Sequence, residues 1–127
     1  MDFMEAYVNK RKTGSDWELN AAAYLTGQGM EIMERNFRCR QGEIDLIGYH
    51  NGYLVFVEVK YRKSSQKGTP EAAVGYIKQK KICRVADYYR YRHRMNAFTA
   101  VRYDVLAIRD GEFTWHQNAF SHIYANQ

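Results

Sequence analysis

The chain has 127 residues, 46% of them apolar, which suits one ordinary domain with a real core and leaves little room for a second. Lys and Arg outnumber Asp and Glu by 19 to 14, and the formal charge of +5 favours polyanionic partners without identifying one. Cys39 and Cys83 lie far apart without C-x-x-C spacing, which argues against a disulfide framework or a zinc knuckle; with no signal-like apolar N-terminus and no run near the roughly 18 apolar residues of a membrane span, a soluble cytoplasmic protein with reduced thiols is expected.

Residues 1–13 mix Phe3, Met4, Tyr7 and Val8 with Lys10, Arg11 and Lys12 and read as a short amphipathic helix or a loosely held arm. Ser15 with Glu18 three residues later forms a capping box for a helix through Ala21, Ala22, Tyr24 and Leu25, stopped at Gly27 or Gly29. Glu31 to Phe37 suits a strand, and Gln41-Gly42 separates it from a stronger one over Glu43 to Ile47. Asn51-Gly52 then joins that strand to Tyr53 to Lys60, and Asn-Gly between two apolar runs is the strongest short hairpin signal because a type I′ turn needs positive φ at both central residues. After a polar loop at Ser64 to Gly68, Thr69-Pro70-Glu71 supplies an N-cap, a first-position proline and a first-turn acid. Val74, Ile77, Ile82, Val85, Ala86 and Tyr89 make the buried stripe of a helix reaching about residue 92. Residues 100–109 read as a strand that pairs with Glu112 to His116 across Asp110-Gly111. The predicted order is α-β-β-β-α-β-β, an α/β fold with an antiparallel hairpin at the centre of a mixed sheet and helices flanking it.

Counting outward from Asn51-Gly52 sets His50 against Tyr53, Asp45 against Glu58 and Glu43 against Lys60. Residues two apart share a face, so Glu43, Asp45, Glu58 and Lys60 project together beside Ile47 and Phe56, while Ile44, Leu46, Val55, Val57 and Val59 take the other side. Three carboxylates on an otherwise apolar face repel one another unless a cation lies between them. Mg²⁺ or Mn²⁺ fits that need, held by Asp45, Glu58 and the Val59 carbonyl, with Lys60 orienting or deprotonating a water or stabilising charge on a phosphorane. The competing reading is an ion-pair network in which Lys60 neutralises Glu43 and Glu58, and spacing alone does not choose between the two.

The segments Gly42-Glu43-Ile44-Asp45-Leu46-Ile47 and Leu54-Val55-Phe56-Val57-Glu58-Val59-Lys60-Tyr61-Arg62 closely resemble the YraN-like uncharacterised protein family. That family is placed in the restriction-endonuclease-like, PD-(D/E)XK superfamily and is similar in fold to archaeal Holliday-junction resolvases. The resemblance runs from Gly14 to Ile108 and takes in Glu34-Arg35-Asn36-Phe37-Arg38, Lys78-Gln79-Lys80-Lys81 and Arg102-Tyr103-Asp104-Val105. It implies a restriction-endonuclease-like core in which Asp45 matches the metal-binding aspartate and Glu58 and Lys60 the E-x-K motif. It also implies supporting roles for Glu18 and Gln79, for which a capping box and a solvated helix face are the structural alternatives. The family's G-x-x-G-E pattern stands here as Gly14-Ser15-Asp16-Trp17-Glu18, with Trp17 in place of a glycine.

By this resemblance the expected activity is metal-dependent hydrolysis of DNA phosphodiester bonds, extending to branched or junction DNA, by a homodimer as in resolvases. The alternative is a catalytically inactive nuclease-like module that binds nucleic acid. Arg62, Lys63 and Lys67, on the loop leaving the catalytic strand, and Lys78, Lys81 and Arg84 on the second helix are the candidate phosphate contacts. Asp104 is expected to satisfy core polar groups, and no histidine spacing supports zinc.

Overall fold

The computed structural model describes residues 19–62 and 74–126. The N-terminal arm, the Ser15 capping box, Glu18, Lys63, Lys67, the Ser64 to Gly68 loop and the Thr69 N-cap lie outside the described residues.

Helix α1 (residues 19–27 as described) ends where Gly29 takes φ 101° and the Met30 N–H turns back to the Leu25 carbonyl. Five strands follow the predicted order: β1 (Glu31–Cys39), β2 (Gly42–His50), β3 (Tyr53–Arg62), β4 (Val101–Arg109) and β5 (Glu112–Phe120). Helix α2 (Tyr76–Arg92) connects β3 to β4. The strands lie in the sheet in sequence order, and only β3 and β4 run parallel. A helical connection fits there, since parallel neighbours need a long crossover while antiparallel ones close with a short turn. Asn51 and Gly52 have φ of 50° and 83°, Asp110 and Gly111 have 51° and 78°, so both predicted tight turns carry the positive φ values that their residues tolerate.

Helices cover both faces of the sheet. Ala21 and Leu25 of α1 pack with Leu46, Val55, Val57 and Leu106. Ile82, Cys83, Val85, Ala86 and Tyr89 of α2 pack with Ile47, Leu54, Phe56 and Tyr103. Gly48 shows how closely the chain is drawn together: a Cβ there would stand 2.6 Å from the Glu31 carbonyl oxygen and 2.9 Å from Met30 Cγ. Among the described residues no helix is long and apolar enough to cross a membrane.

Three local expectations are corrected. The helix that reaches Arg92 starts at Tyr76 rather than Pro70, because buried Val74 and extended Gly75 precede it and the Gln79 side chain bonds the Val74 carbonyl at 2.7 Å. Ile77, expected in the buried stripe, is 72% exposed: with the helix starting six residues later, the stripe begins at Ile82. Ile44 packs on the α2 side with Ile47 and not beside Leu46, which joins the α1 side. Strict alternation would put Ile44 and Leu46 together, so the strand rotates at Asp45. The neighbouring strand departs from regular geometry at the same level, where Asn36 takes φ 54° between the rungs Arg35↔Leu46 and Phe37↔Ile44.

Candidate active site

The β2–β3 ladder has the register that Asn51-Gly52 dictates, from His50↔Tyr53 through Tyr49↔Leu54, Gly48↔Val55 and Ile47↔Phe56 to Leu46↔Val57. At the next level a side chain takes over from the backbone. The Leu54 N–H donates to the Ala100 carbonyl on the β4 side, so odd-numbered residues of β3 direct their amides towards β2. The Val59 N–H accordingly points at β2, and there it meets Asp45 Oδ2 at 2.7 Å. The rotation of β2 thus swings the Asp45 carboxylate into the plane of the sheet.

Glu58 lies on the α2 face in line with Leu54 and Phe56, its side chain 13% exposed, and Lys78 from the first turn of α2 reaches it with Nζ 3.9 Å from Oε1. Burial pushes the Glu58 carboxyl up to about 7, the Asp45 charge and a hydrogen bond to Asp45 push the same way, and Lys78 and then Lys60 pull it down. Asp45, Glu58, Lys60 and Lys78 therefore form one electrostatic unit.

That unit has a consequence for stability. Glu58 is neutral in both states at low pH; between its ordinary 4.5 and about 7 the unfolded chain ionises while the folded chain keeps its proton, so its contribution falls as pH rises through that window. Glu58→Gln removes the penalty. Urea midpoints should show the stability of the variant relative to the natural chain rising by about 2 to 3 kcal/mol from pH 5 to pH 8; a constant difference would show that burial does not hold the proton on Glu58.

The remaining candidates divide. Glu43, expected opposite Lys60, instead pairs across the β1–β2 ladder with Arg38, Nε to Oε2 3.0 Å, because Cys39↔Gly42 closes that turn and makes Arg38↔Glu43 the next rung. Gln79 is committed to Val74, and Arg84 bonds the Ile123 carbonyl and Asp87, 3.4 Å away, so it anchors the C-terminal segment. Arg62, expected on the loop after the strand, instead ends β3, where pairing with β4 extends the strand to the rung Arg62↔Arg109. Lys78 and Lys81 line an open cleft of about 470 Å³ with Arg38 and Glu43. Asp104 is fully buried and accepts bonds from Arg102, Trp115 and the Asn118 amide, the core-satisfying role its strand position suggested. The sequence reading placed Lys78 among phosphate contacts and missed its approach to Glu58, which depends on how α2 packs and leaves no local signal.

Among the described residues no three His, Cys, Asp or Glu side chains form a metal cage. Two carboxylates do suit Mg²⁺ or Mn²⁺, ions that keep several waters and share their coordination with substrate phosphate. Burial is the largest cause of the raised Glu58 carboxyl and the Asp45 charge the next, and a cation between the two carboxylates would relieve the second. A strand residue directs its C=O to the same edge as its N–H, so the Val59 carbonyl also faces the side Asp45 occupies.

Residues 17–108 match the family described as "Uncharacterised protein family UPF0102". A UPF0102 protein of Lachnoclostridium phytofermentans is 46% identical over 113 residues, covering 89% of this chain and 96% of the relative. One from Alcanivorax borkumensis is 43% identical over 117 residues, covering 88% and 94%, and one from a Janthinobacterium species is 40% identical over 117 residues, covering 92% and 94%. With the match extending over most of its length, the chain belongs to the UPF0102, or YraN-like, family.

Proposed function

We infer that this protein is a Mg²⁺- or Mn²⁺-dependent endonuclease that hydrolyses DNA phosphodiester bonds, with a core of the restriction-endonuclease-like kind related to that of Holliday-junction resolvases. The observation that carries the reading is the Asp45–Glu58 pair at the point where β2 rotates away from β3, with Lys60 on the same strand face as Glu58 and a Glu58 carboxyl that burial and Asp45 push up to about 7. Asp45, Glu58 and the Val59 carbonyl would hold the ion. When bound, it supplies positive charge to the phosphate and makes a water acidic enough to attack.

The chain's own groups supply the rest. Lys60, exposed at the end of the strand, holds or deprotonates the attacking water and offsets charge developing on the phosphate. Lys78 neutralises Glu58 before substrate arrives and is then free to turn towards a phosphate oxygen. Branched DNA is the substrate class that the resolvase likeness favours, the cytoplasm the compartment and a homodimer the working unit.

The test is cleavage of labelled linear, flapped and four-way-junction DNA with Mg²⁺, Mn²⁺ or EDTA, with an identically prepared Asp45→Asn protein as control. Metal-dependent cleavage by the natural protein alone sustains the reading. The Lys78–Glu58 contact favours a second one, an inactive module whose carboxylates are neutralised by lysines. Salt-dependent DNA binding by both proteins with no cleavage under either metal would replace the first reading with the second.

A further inference from the structure

A groove of about 520 Å³ lies between β1 and the C-terminal half of α2, with Phe37 and Tyr88 in its walls and Arg38, Arg40, Arg92 and His93 around them. It shares Arg38 and Cys39 with the cleft that Lys78 and Lys81 line, so the two depressions adjoin at these residues. Lys78, Lys81, Val85, Tyr88 and Arg92 follow one another at three- and four-residue steps and form one stripe of α2. The stripe runs over the β1–β2 turn, since a Cβ on Gly42 would touch Val85 Cγ2 at 3.4 Å. From Lys78, beside Glu58, to Arg92 it spans roughly 21 Å at 1.5 Å per residue.

The walls hold five permanent cations, Arg38, Arg40, Lys78, Lys81 and Arg92, against two carboxylates. Glu43 is paired with Arg38 at 3.0 Å, Glu34 lies 4.0 Å from His93 Nε2, and Lys78 is paired with Glu58, which leaves Arg40, Lys81 and Arg92 against at most one carboxylate. The surface has cations to spare for an anionic polymer. The aromatic floor is held in place: Phe37 packs edge-on to Tyr89 with ring centroids 5.2 Å apart, and Arg92 donates to the Tyr88 hydroxyl at 3.2 Å. Planar rings beside a row of guanidinium and ammonium groups make the arrangement on which single-stranded nucleic acid lies, phosphates on the cations and bases on the rings. A duplex keeps its bases stacked inside and has no use for the rings.

We propose that this groove is a single-strand track, which carries an unpaired DNA strand away from the Asp45–Glu58 site along α2 and stacks one of its bases against Phe37 and Tyr88. The track rests on the nuclease reading for where the strand originates, and its binding can be measured without cleavage.

The experiment uses the full chain in EDTA, with binding of fluorescein-labelled oligothymidylate and of a duplex of equal length read by anisotropy, and thymidine monophosphate as competitor. Arg40→Ala and Arg92→Ala should each weaken single-strand binding about five-fold and flatten its log–log salt slope by about 0.7. Tyr88→Leu should weaken it about ten-fold with the slope unchanged, while Tyr88→Phe stays within about two-fold and serves as the folding-safe control. Duplex affinity should respond to the arginines and not to Tyr88→Leu.

No single-strand binding by the natural protein, unchanged affinity in both arginine variants, or equal losses for duplex and single strand in Tyr88→Leu would overturn the proposal. Monophosphate that binds as tightly as the oligonucleotide would also overturn it, in favour of a free-nucleotide pocket. Loss of binding in Arg40→Ala by a protein that never cleaves DNA would sustain the track and sink the nuclease reading. Cleavage abolished by Asp45→Asn, with Arg40→Ala and Arg92→Ala binding normally, would do the reverse.

Discussion

Asp45→Asn is expected to cut metal-dependent DNA cleavage by about a thousand-fold or more, about 4 kcal/mol of barrier at 1.36 kcal/mol per decade, while changing folding stability little. The substitution is isosteric, and the amide oxygen can still accept the Val59 N–H that Asp45 Oδ2 holds at 2.7 Å. What disappears is the negative charge, and with it half of the carboxylate pair offered to the ion. A second readout separates a lost ligand from a damaged fold. With the like charge gone, the Glu58 carboxyl should titrate below its present value of about 7, visible as a shift in its side-chain carbon resonance with pH. Full activity in Asp45→Asn would reduce Asp45 to a clamp on the Val59 amide. An unshifted Glu58 would mean that burial alone sets its proton affinity.

Asp104→Ala should cost about 3 to 5 kcal/mol and lower the melting temperature by roughly 10 to 20 °C. The Asp104 carboxylate is fully buried and receives Arg102 Nε at 2.9 Å, an Arg102 terminal nitrogen at 2.8 Å, Trp115 Nε1 at 2.8 Å and the Asn118 N–H at 2.9 Å. Removing it strands a guanidinium that is itself buried, tied otherwise to His50 Nδ1 at 3.0 Å and stacked over Tyr53 and Trp115. An unpaired buried charge is costlier than the pair is favourable, so joint replacement of Arg102 and Asp104 by Leu should be less damaging than Asp104→Ala alone. A melting temperature within 2 °C of the natural chain would show that water reaches this pair and that it holds nothing together.

The turns and the register were legible in the sequence because their causes are local. Asn51-Gly52 and Asp110-Gly111 can take the required backbone, and once the first turn is fixed every rung down to Leu46↔Val57 follows by counting. The approach of Asp45 to Glu58 follows only in part. Counting assumes uniform alternation, and the rotation at Asp45 sends Ile44 to the α2 side and leaves Glu43 to Arg38. That Arg38 pairing was within reach by counting from the Arg40-Gln41 turn. The start of α2 does not follow from Pro70, a good first helical residue wherever it stands; Val74 is buried as the predicted stripe has it, but from the segment just before the helix. The meeting of Lys78 with Glu58 and the adjacency of two depressions at Arg38 and Cys39 depend on how a helix lies across a sheet, a tertiary choice that residue spacing does not encode.

The two outer strands share a feature whose effect lies beyond the single chain. β1 carries Asn36 at φ 54° and a register shift between Ile32 and Glu34; β5 carries Asn118, also at φ 54°, near the shift between Tyr103 and Val105. An open sheet exposes a row of unsatisfied amides and carbonyls along each border, a template on which further strands add during aggregation. Bends of this kind spoil the straight ladder that such growth requires. The sheet is thereby protected at both borders from zipping onto another molecule, and two copies of this chain that associate would meet more readily through their helical layers than by forming one continuous ten-stranded sheet.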